Sequence, residues 1–213
     1  MRVIAIDGPA GSGKSTVSRR LAERLQLAYL DTGAMYRAVA FAALRRNIDP
    51  DDDDKVAALA RDMELEVTLE HVTVDGVDAT VEIRGPEVTR AVSIVAANLG
   101  VRDELRRRQR EWAAAHAGGV IEGRDIGTVV FPDAELKVYL TAAPDARAQR
   151  RAKEVTELDY ETVAADLARR DAIDEGRDHS PLTAADDAVH VDTTDRTVDQ
   201  VIDELMKRLD GHG

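Results

Sequence analysis

Apolar and polar positions alternate along the chain in two rhythms. Val3 to Ile6 is a continuous apolar run of strand length, and Val17, Leu21 and Leu25 follow at helical spacing. Ala28–Leu30 is a second short run, ahead of a helical stretch from Ala34 to about Arg46. An acidic turn, Asn47 to Asp54, leads into a short helix ending near Asp62. From Leu65 to Ile83 the period drops to two, through Leu65, Val67 and Leu69, then Val72 and Val74, then Val77, Ala79, Val81 and Ile83. Asp75-Gly76 sits between two of these runs as a hairpin turn. Helical pattern resumes near Pro86 and continues, with a break near Gly100, to about Ala117. Val120 to Glu122 and Leu136 to Leu140 read as buried strands, with helices from about Pro144 to Val155 and from Tyr160 to Ala172. Ala188–Val191 is a last strand, and Thr197–Leu209 a helix with Val198, Val201, Ile202, Leu205 and Leu209 on one side. This order predicts an α/β fold: a doubly wound, five-stranded parallel sheet with helices on both faces and a small inserted antiparallel β subdomain.

Composition narrows the class. At 213 residues there is room for one substantial core and a small insert. Apolar residues make up 44% but aromatic ones only 3%, so the core must be built from Ala, Val, Leu and Ile. Without cysteine, neither a disulfide framework nor a thiolate metal site is available. No apolar stretch approaches the roughly 20 residues of a membrane span. The first residues enter a strand with no leader pattern, and a soluble, cytoplasmic protein is expected. A net charge of −12 argues against a nucleic-acid surface. It also means that any anionic ligand needs cations gathered at its site. The cations are 24 Arg and 5 Lys, and arginine's planar fork suits bidentate phosphate contacts. A codon bias would give the same composition, so position has to decide. Asp51–Asp54 reads as a solvated turn and helix start rather than a cation site.

Between the first strand and first helix stands Gly8-Pro9-Ala10-Gly11-Ser12-Gly13-Lys14-Ser15, followed by Thr16. This is the G-x-x-x-x-G-K-[ST] phosphate loop in its required strand-to-helix setting. Glycines let backbone N–H groups close around phosphate oxygens, Lys14 adds a mobile charge, and the Ser15 hydroxyl is placed to ligate Mg²⁺. A nucleoside triphosphate ligand is expected. In open α/β sheets ligands lie beyond the carboxyl ends of the strands, where this chain has Asp31-Thr32 and Arg124-Asp125. The N-K-x-D of a GTPase and the long apolar run ending in Asp-Glu of a motor ATPase are both absent. Instead come Arg37, Arg102, Arg124, Arg147, Arg150, Arg151, Arg170 and Arg177, equipment suited to phosphoryl transfer between two small anions.

Three further segments carry a resemblance. They are Leu30-Asp31-Thr32-Gly33-Ala34-Met35-Tyr36-Arg37, the run from Gly123 to Pro132, and Arg170-Asp171-x-x-Asp174-x-x-Arg177-x-x-Ser180-Pro181-Leu182. With the phosphate loop, they make the chain similar to bacterial cytidylate kinases along essentially its whole length. The resemblance implies transfer from ATP to CMP or dCMP, in a single kinase chain that is usually a monomer. It implies a core (about 1–62, 118–143, 176–213), a CMP-binding insert (about 63–100) and a lid (about 144–175). It places Asp125 opposite the cytosine amino group, with Ser93 and Arg102 as further base contacts. Arg170 and Asp174 resemble pentose contacts; Thr32, Arg37, Arg124 and Arg177 resemble groups on the CMP side. Arg147, Arg150 and Arg151 look like lid arginines over the ATP phosphates, and Lys14, Arg124, Arg147, Arg151 and Arg177 like the catalytic set. Ser15 would hold Mg²⁺, with Asp31 a candidate to act through water.

Each position has a plainer reading. Arg102, Arg106 and Arg110 share a helical face and could form a solvated stripe, the reading preferred for the last two. Arg170 and Asp174 could be an ordinary helical ion pair. Ser93 alone is unremarkable, Trp112 reads as packing, and His71, His116, His179, His190 and His212 show no ligand spacing. Competing functions are a kinase for UMP or shikimate and a slowly hydrolysing nucleotide switch.

Overall fold

A computed structural model of the chain describes residues 1–154, 159–177 and 179–211. The predicted helix end at Val155 and His212 lie outside the described residues. The chain divides into two compact units, Met1–Ala28 with Gly118–Gly213, and Tyr29–Ala117.

The first unit holds β1 (Arg2–Asp7), α1 (Lys14–Leu25), β6 (Gly118–Gly123), β7 (Leu136–Thr141), α6 (Pro144–Glu154), α7 (Tyr160–Glu175), β8 (Val189–Asp192) and α8 (Val198–Asp210). The second holds β2 (Tyr29–Asp31), α2 (Thr32–Arg45), α3 (Asp53–Asp62), β3 (Leu65–Val67), β4 (Val72–Val74), β5 (Val77–Asp78), α4 (Pro86–Val95) and α5 (Leu99–Ala115). Five strands form one sheet in the order β2-β6-β1-β7-β8, and β3-β4-β5 form a separate three-stranded sheet. Within the first unit every strand pair is parallel, with Ile4 opposite Val120 and Leu136. Central parallel strands are covered on both faces, and β1 accordingly buries every residue from Val3 to Asp7. At the other end of the unit, α8 opens with a capping box. The Thr197 N–H donates to Gln200 Oε1 at 2.9 Å, and the Gln200 N–H to Thr197 Oγ1 at 3.3 Å.

The second unit is helical around its small sheet. α2 is rich in alanine and buries Ala34, Met35, Ala38, Val39, Ala40, Ala42 and Ala43, a wider surface than one stripe. Small side chains let α3, α4 and the small sheet pack close to it. Asp52 caps α3 by accepting from the Lys55 N–H at 3.2 Å, and Asp53 and Asp54 occupy the first turn, as expected of the acidic run.

Several predicted boundaries shift, and the first alternating run ends at Val67, short of Leu69. The third alternating run stops after Asp78, because Asp78 Oδ1 accepts from the Thr80 N–H at 2.9 Å and from its hydroxyl at 2.6 Å. This side-chain turn competes with the strand ladder, and a short 3₁₀ turn, Glu82–Arg84, replaces the rest of the strand. The helical break falls at residues 96–98 rather than Gly100. Asn98 caps α5, and Gly100 lies in its first turn, where a Cβ would stand 2.6 Å from that of Ala57. Finally, α7 runs on past Ala172 to Glu175 and so includes Asp174.

Candidate functional site

The phosphate loop joins β1 to α1 in the first unit. Gly8 has φ 148°, and a Cβ there would stand 2.1 Å from the Leu140 carbonyl oxygen, so only glycine fits. Gly13 is the α1 N-cap and gives the helix no side-chain cap, which leaves its first N–H groups for a ligand. Lys14 is buried and donates to the Pro9 carbonyl at 2.7 Å. Ser12 is buried too, and its hydroxyl has no partner among the described residues. Ser15 and Thr16 are exposed at the start of α1.

Arginines tie this loop to its surroundings. Arg147 of α6 donates to the Ala10 carbonyl at 3.1 Å and to Asp171 of α7. Arg150 donates to Thr193, at 2.9 Å to its hydroxyl and 2.6 Å to its carbonyl. The Thr193 hydroxyl lies 2.9 Å from the Ser12 carbonyl oxygen, within donating distance. Arg151 stands half-buried on the same helix. Under α6 and α7, Ala148, Val163 and Leu167 form an apolar cluster against which Ala10 of the loop packs.

At the end of β6, Arg124 donates to Asp174 Oδ2 at 2.8 Å and to the Gly8 carbonyl at 2.9 Å. Arg177, just beyond α7, donates to the other oxygen of Asp174. Burial alone would raise the Asp174 pKa, but Arg124 and Arg177 outweigh it and hold the carboxyl below its ordinary value. Burial likewise opposes the charge of Arg124, and Asp174 reverses the balance. At Arg170 the carboxylates do not prevail: burial first, then the Arg124 charge, lowers it to about 10 against the pull of Asp174 and Asp171. The predicted Arg170–Asp174 neighbours thus share a helix, while Asp174 gives its oxygens to Arg124 and Arg177. Asp125 is buried, and a π-helical turn over Ile126–Val130 follows it.

The second unit carries the remaining candidates. Asp31 caps α2, accepting from the Ala34 N–H at 3.0 Å, and its Oδ2 lies 3.7 Å from an Arg84 nitrogen. Thr32 is buried in the first turn. Arg37 donates to the Ile83 carbonyl at 3.2 Å and the Thr89 hydroxyl at 3.0 Å. Ser93 is half-buried on α4. Arg102 departs from the stripe it shares with Arg106 and Arg110. It is buried, donates to the Ala96 carbonyl at 3.0 Å and lies 5.6 Å over the Tyr36 ring. Arg106 pairs with Asp103 at 3.2 Å, and Arg110 is exposed. Trp112 stacks on His116 with centroids 4.3 Å apart. Among the described residues no group of three or more His, Asp or Glu could hold a metal.

Sequence reasoning passed over Asp7, Asp171, Thr193 and Arg84. An acid closing a buried apolar strand was a usable signal for Asp7; Thr193 offered none.

The cytidylate kinase family model matches residues 4–210. A cytidylate kinase of Nocardia farcinica is 49% identical over 213 residues, covering 96% of this chain and 92% of that protein. One from Desulforamulus reducens is 48% identical, covering 96% and 95%. A shikimate kinase from Acinetobacter baumannii, solved in complex with shikimate, shares the fold at 16% identity, with a TM-score of 0.50 over 98% of this chain and 93% of that one. With a family match spanning nearly every residue and near-half identity to these relatives, the chain belongs to the cytidylate kinase family.

Proposed function

We propose that this chain transfers the γ-phosphoryl group of ATP to CMP and dCMP, producing CDP and dCDP for pyrimidine nucleotide metabolism. The family match over residues 4–210 carries the reading. The nucleophile is a phosphate oxygen of CMP. Its second pKa is about 6, so it is largely dianionic at neutral pH and needs no protein base. Catalysis reduces to alignment and charge stabilisation around an in-line, loose transition state.

The loop from Gly8 to Thr16 takes the ATP phosphates, with Lys14 as its cation. Arg147, Arg150 and Arg151, in a lid of about 144–175, add charge and exclude water. Arg37, Arg124 and Arg177 take the CMP phosphate, and Thr32 contributes on the same side. Asp174 and Arg170 take the pentose. Asp125 accepts from the cytosine amino group, where uracil would present an acceptor and leave the carboxylate unpaired. Arg102 donates to the ring acceptors and Ser93 assists, with the insert of about 63–100 serving the acceptor.

Mg²⁺ suits this donor set, since it prefers one or two protein ligands completed by substrate phosphates and water. The exposed Ser15 hydroxyl would hold it, and Asp31, whose Oδ1 caps α2, would act through water. The ion would supply positive charge against the ATP phosphates. The charge of −12 fits small substrates rather than nucleic acid, and no described helix is long and apolar enough to cross a membrane. The enzyme is read as a cytoplasmic monomer.

Initial rates with ATP and CMP, dCMP, UMP, AMP or shikimate, side by side, test the reading. CMP and dCMP should lead by at least an order of magnitude, and a preference for any other acceptor overturns it. Asp125→Ala should cost about a hundredfold with CMP and far less with UMP, as expected when a polar partner is removed from a site built for it. Equal losses would place Asp125 elsewhere.

A further inference from the structure

β1 buries the four apolar residues Val3 to Ile6 and then a carboxylate, Asp7. Its oxygens accept from two consecutive backbone N–H groups: Ile126 to Oδ1 at 2.9 Å and Gly127 to Oδ2 at 2.8 Å. These are the two residues that follow Asp125. One position along, the Gly8 carbonyl accepts from Arg124 Nη1 at 2.9 Å. Adjacent residues at the root of the phosphate loop therefore grip residues 124–127 at three points. The gripped segment opens a π-helical turn, in which the Val129 and Val130 N–H groups donate to the Asp125 carbonyl at 2.9 and 3.2 Å. Such turns are rare, and those that occur are frequently at functional sites. Burial pushes the Asp7 carboxyl up to about 6, against the pull of the two N–H donors, so the acid is an expensive choice for this position. A residue kept at that cost, aimed at one short segment, serves the segment.

We infer that Asp7 is a positioning residue for cytosine selection: it holds the Ile126 and Gly127 N–H groups and so fixes the backbone from which Asp125 presents its carboxylate. The inference rests on the reading of Asp125 given above. Asp7→Asn is nearly isosteric but turns one acceptor oxygen into an NH₂ group facing an N–H donor. One buried hydrogen bond is lost, equivalent to about tenfold in a binding constant.

The experiment measures kcat and KM for ATP, CMP and UMP in wild type, Asp7→Asn, Asp125→Ala and the double variant. Asp7→Asn should lower kcat/KM for CMP about tenfold through KM, lower that for UMP less than about threefold, and leave KM for ATP within about threefold. Added to Asp125→Ala, it should change the CMP-to-UMP ratio no further. Equal losses on CMP and UMP, or an undiminished effect of Asp7→Asn in the Asp125→Ala background, overturns the inference. If Asp125→Ala leaves the wild-type ratio unchanged, the reading of Asp125 fails on its own account. If Asp7→Asn does not fold, Asp7→Glu, which keeps the acid and displaces its oxygens by one methylene, is read by the same criteria.

Discussion

The root of the phosphate loop and the last turns of α7 each bury a carboxylate, and they stabilise it in opposite ways. Asp7 faces two neutral backbone N–H groups, and its pKa rises to about 6 because burial dominates. Asp174 faces two guanidinium groups, and its pKa falls. Neutral donors hold an acid in one geometry without offering anything a ligand could take over. Arginines are exchangeable: a phosphate can replace a carboxylate as their partner. The comparison separates a frame held by neutral donors at Asp7 from a cluster at Asp174 held by cations of an exchangeable kind.

Asp174→Ala should have the largest effect. It removes the carboxylate and leaves Arg124 and Arg177 with an uncompensated charge in a buried setting, a change that costs about 3–5 kcal/mol. Urea denaturation at neutral pH should show that loss, and CMP phosphorylation should fall with it. The carboxylate's contribution is present above the ordinary pKa of 3.8 and is lost only as pH falls through the still lower folded value. A cost under 1 kcal/mol would mean that the arginines do not depend on Asp174, and the contrast with Asp7 would collapse.

Asp7 has the opposite sign. Its folded pKa of about 6 exceeds the unfolded 3.8, so its contribution is fully present below 3.8 and is lost as pH rises through about 6. Two pH units correspond to about 3 kcal/mol at most. Stability of wild type relative to Asp7→Asn should therefore increase as pH falls from 7 to about 4.5, a window in which Asp174 stays ionised. Asp125 and Lys14 also act on Asp7, the first raising and the second lowering its pKa, and both remain in the variant. A difference that is flat with pH would show that Asp7 is compensated by charge after all.

What could be read from the chain follows the range of the interactions. The strand, loop and first helix are contiguous, and Gly8 to Ser15 announces them. Strand ends at Asp31 and Arg124-Asp125 follow from apolar runs that stop at polar residues. Local competition misled the reading at Asp78, whose side chain turns the backbone at Thr80 and ends an alternation that looked continuous. Long-range pairing was out of reach. Asp7 meets Ile126 across 119 positions and Thr193 meets Ser12 across 181, with no periodicity linking them. The helical spacing of Arg170 and Asp174 suggested a pair, yet Arg124, 50 positions away, supplies one of the cations bonded to that acid.

Thr193→Val should give the smallest effect and sharpen the comparison most. Thr193 is another frame, without a carboxylate: its buried hydroxyl lies 2.9 Å from the Ser12 carbonyl oxygen and 3.0 Å from that of Thr141, and accepts from Arg150 Nη1 at 2.9 Å. Valine keeps the shape and removes the hydroxyl. The Thr193 carbonyl still accepts from Arg150 at 2.6 Å, so the guanidinium is not stranded. The expected cost is about 1–2 kcal/mol, the range for one buried hydroxyl whose partners lose a bond. Ser12 belongs to the phosphate loop, so KM for ATP should rise a few-fold while KM for CMP stays put, and Thr193→Ser should restore both. If KM for CMP rose equally, Thr193 and Asp7 would belong to a single frame, and donor and acceptor geometry could not be tuned apart.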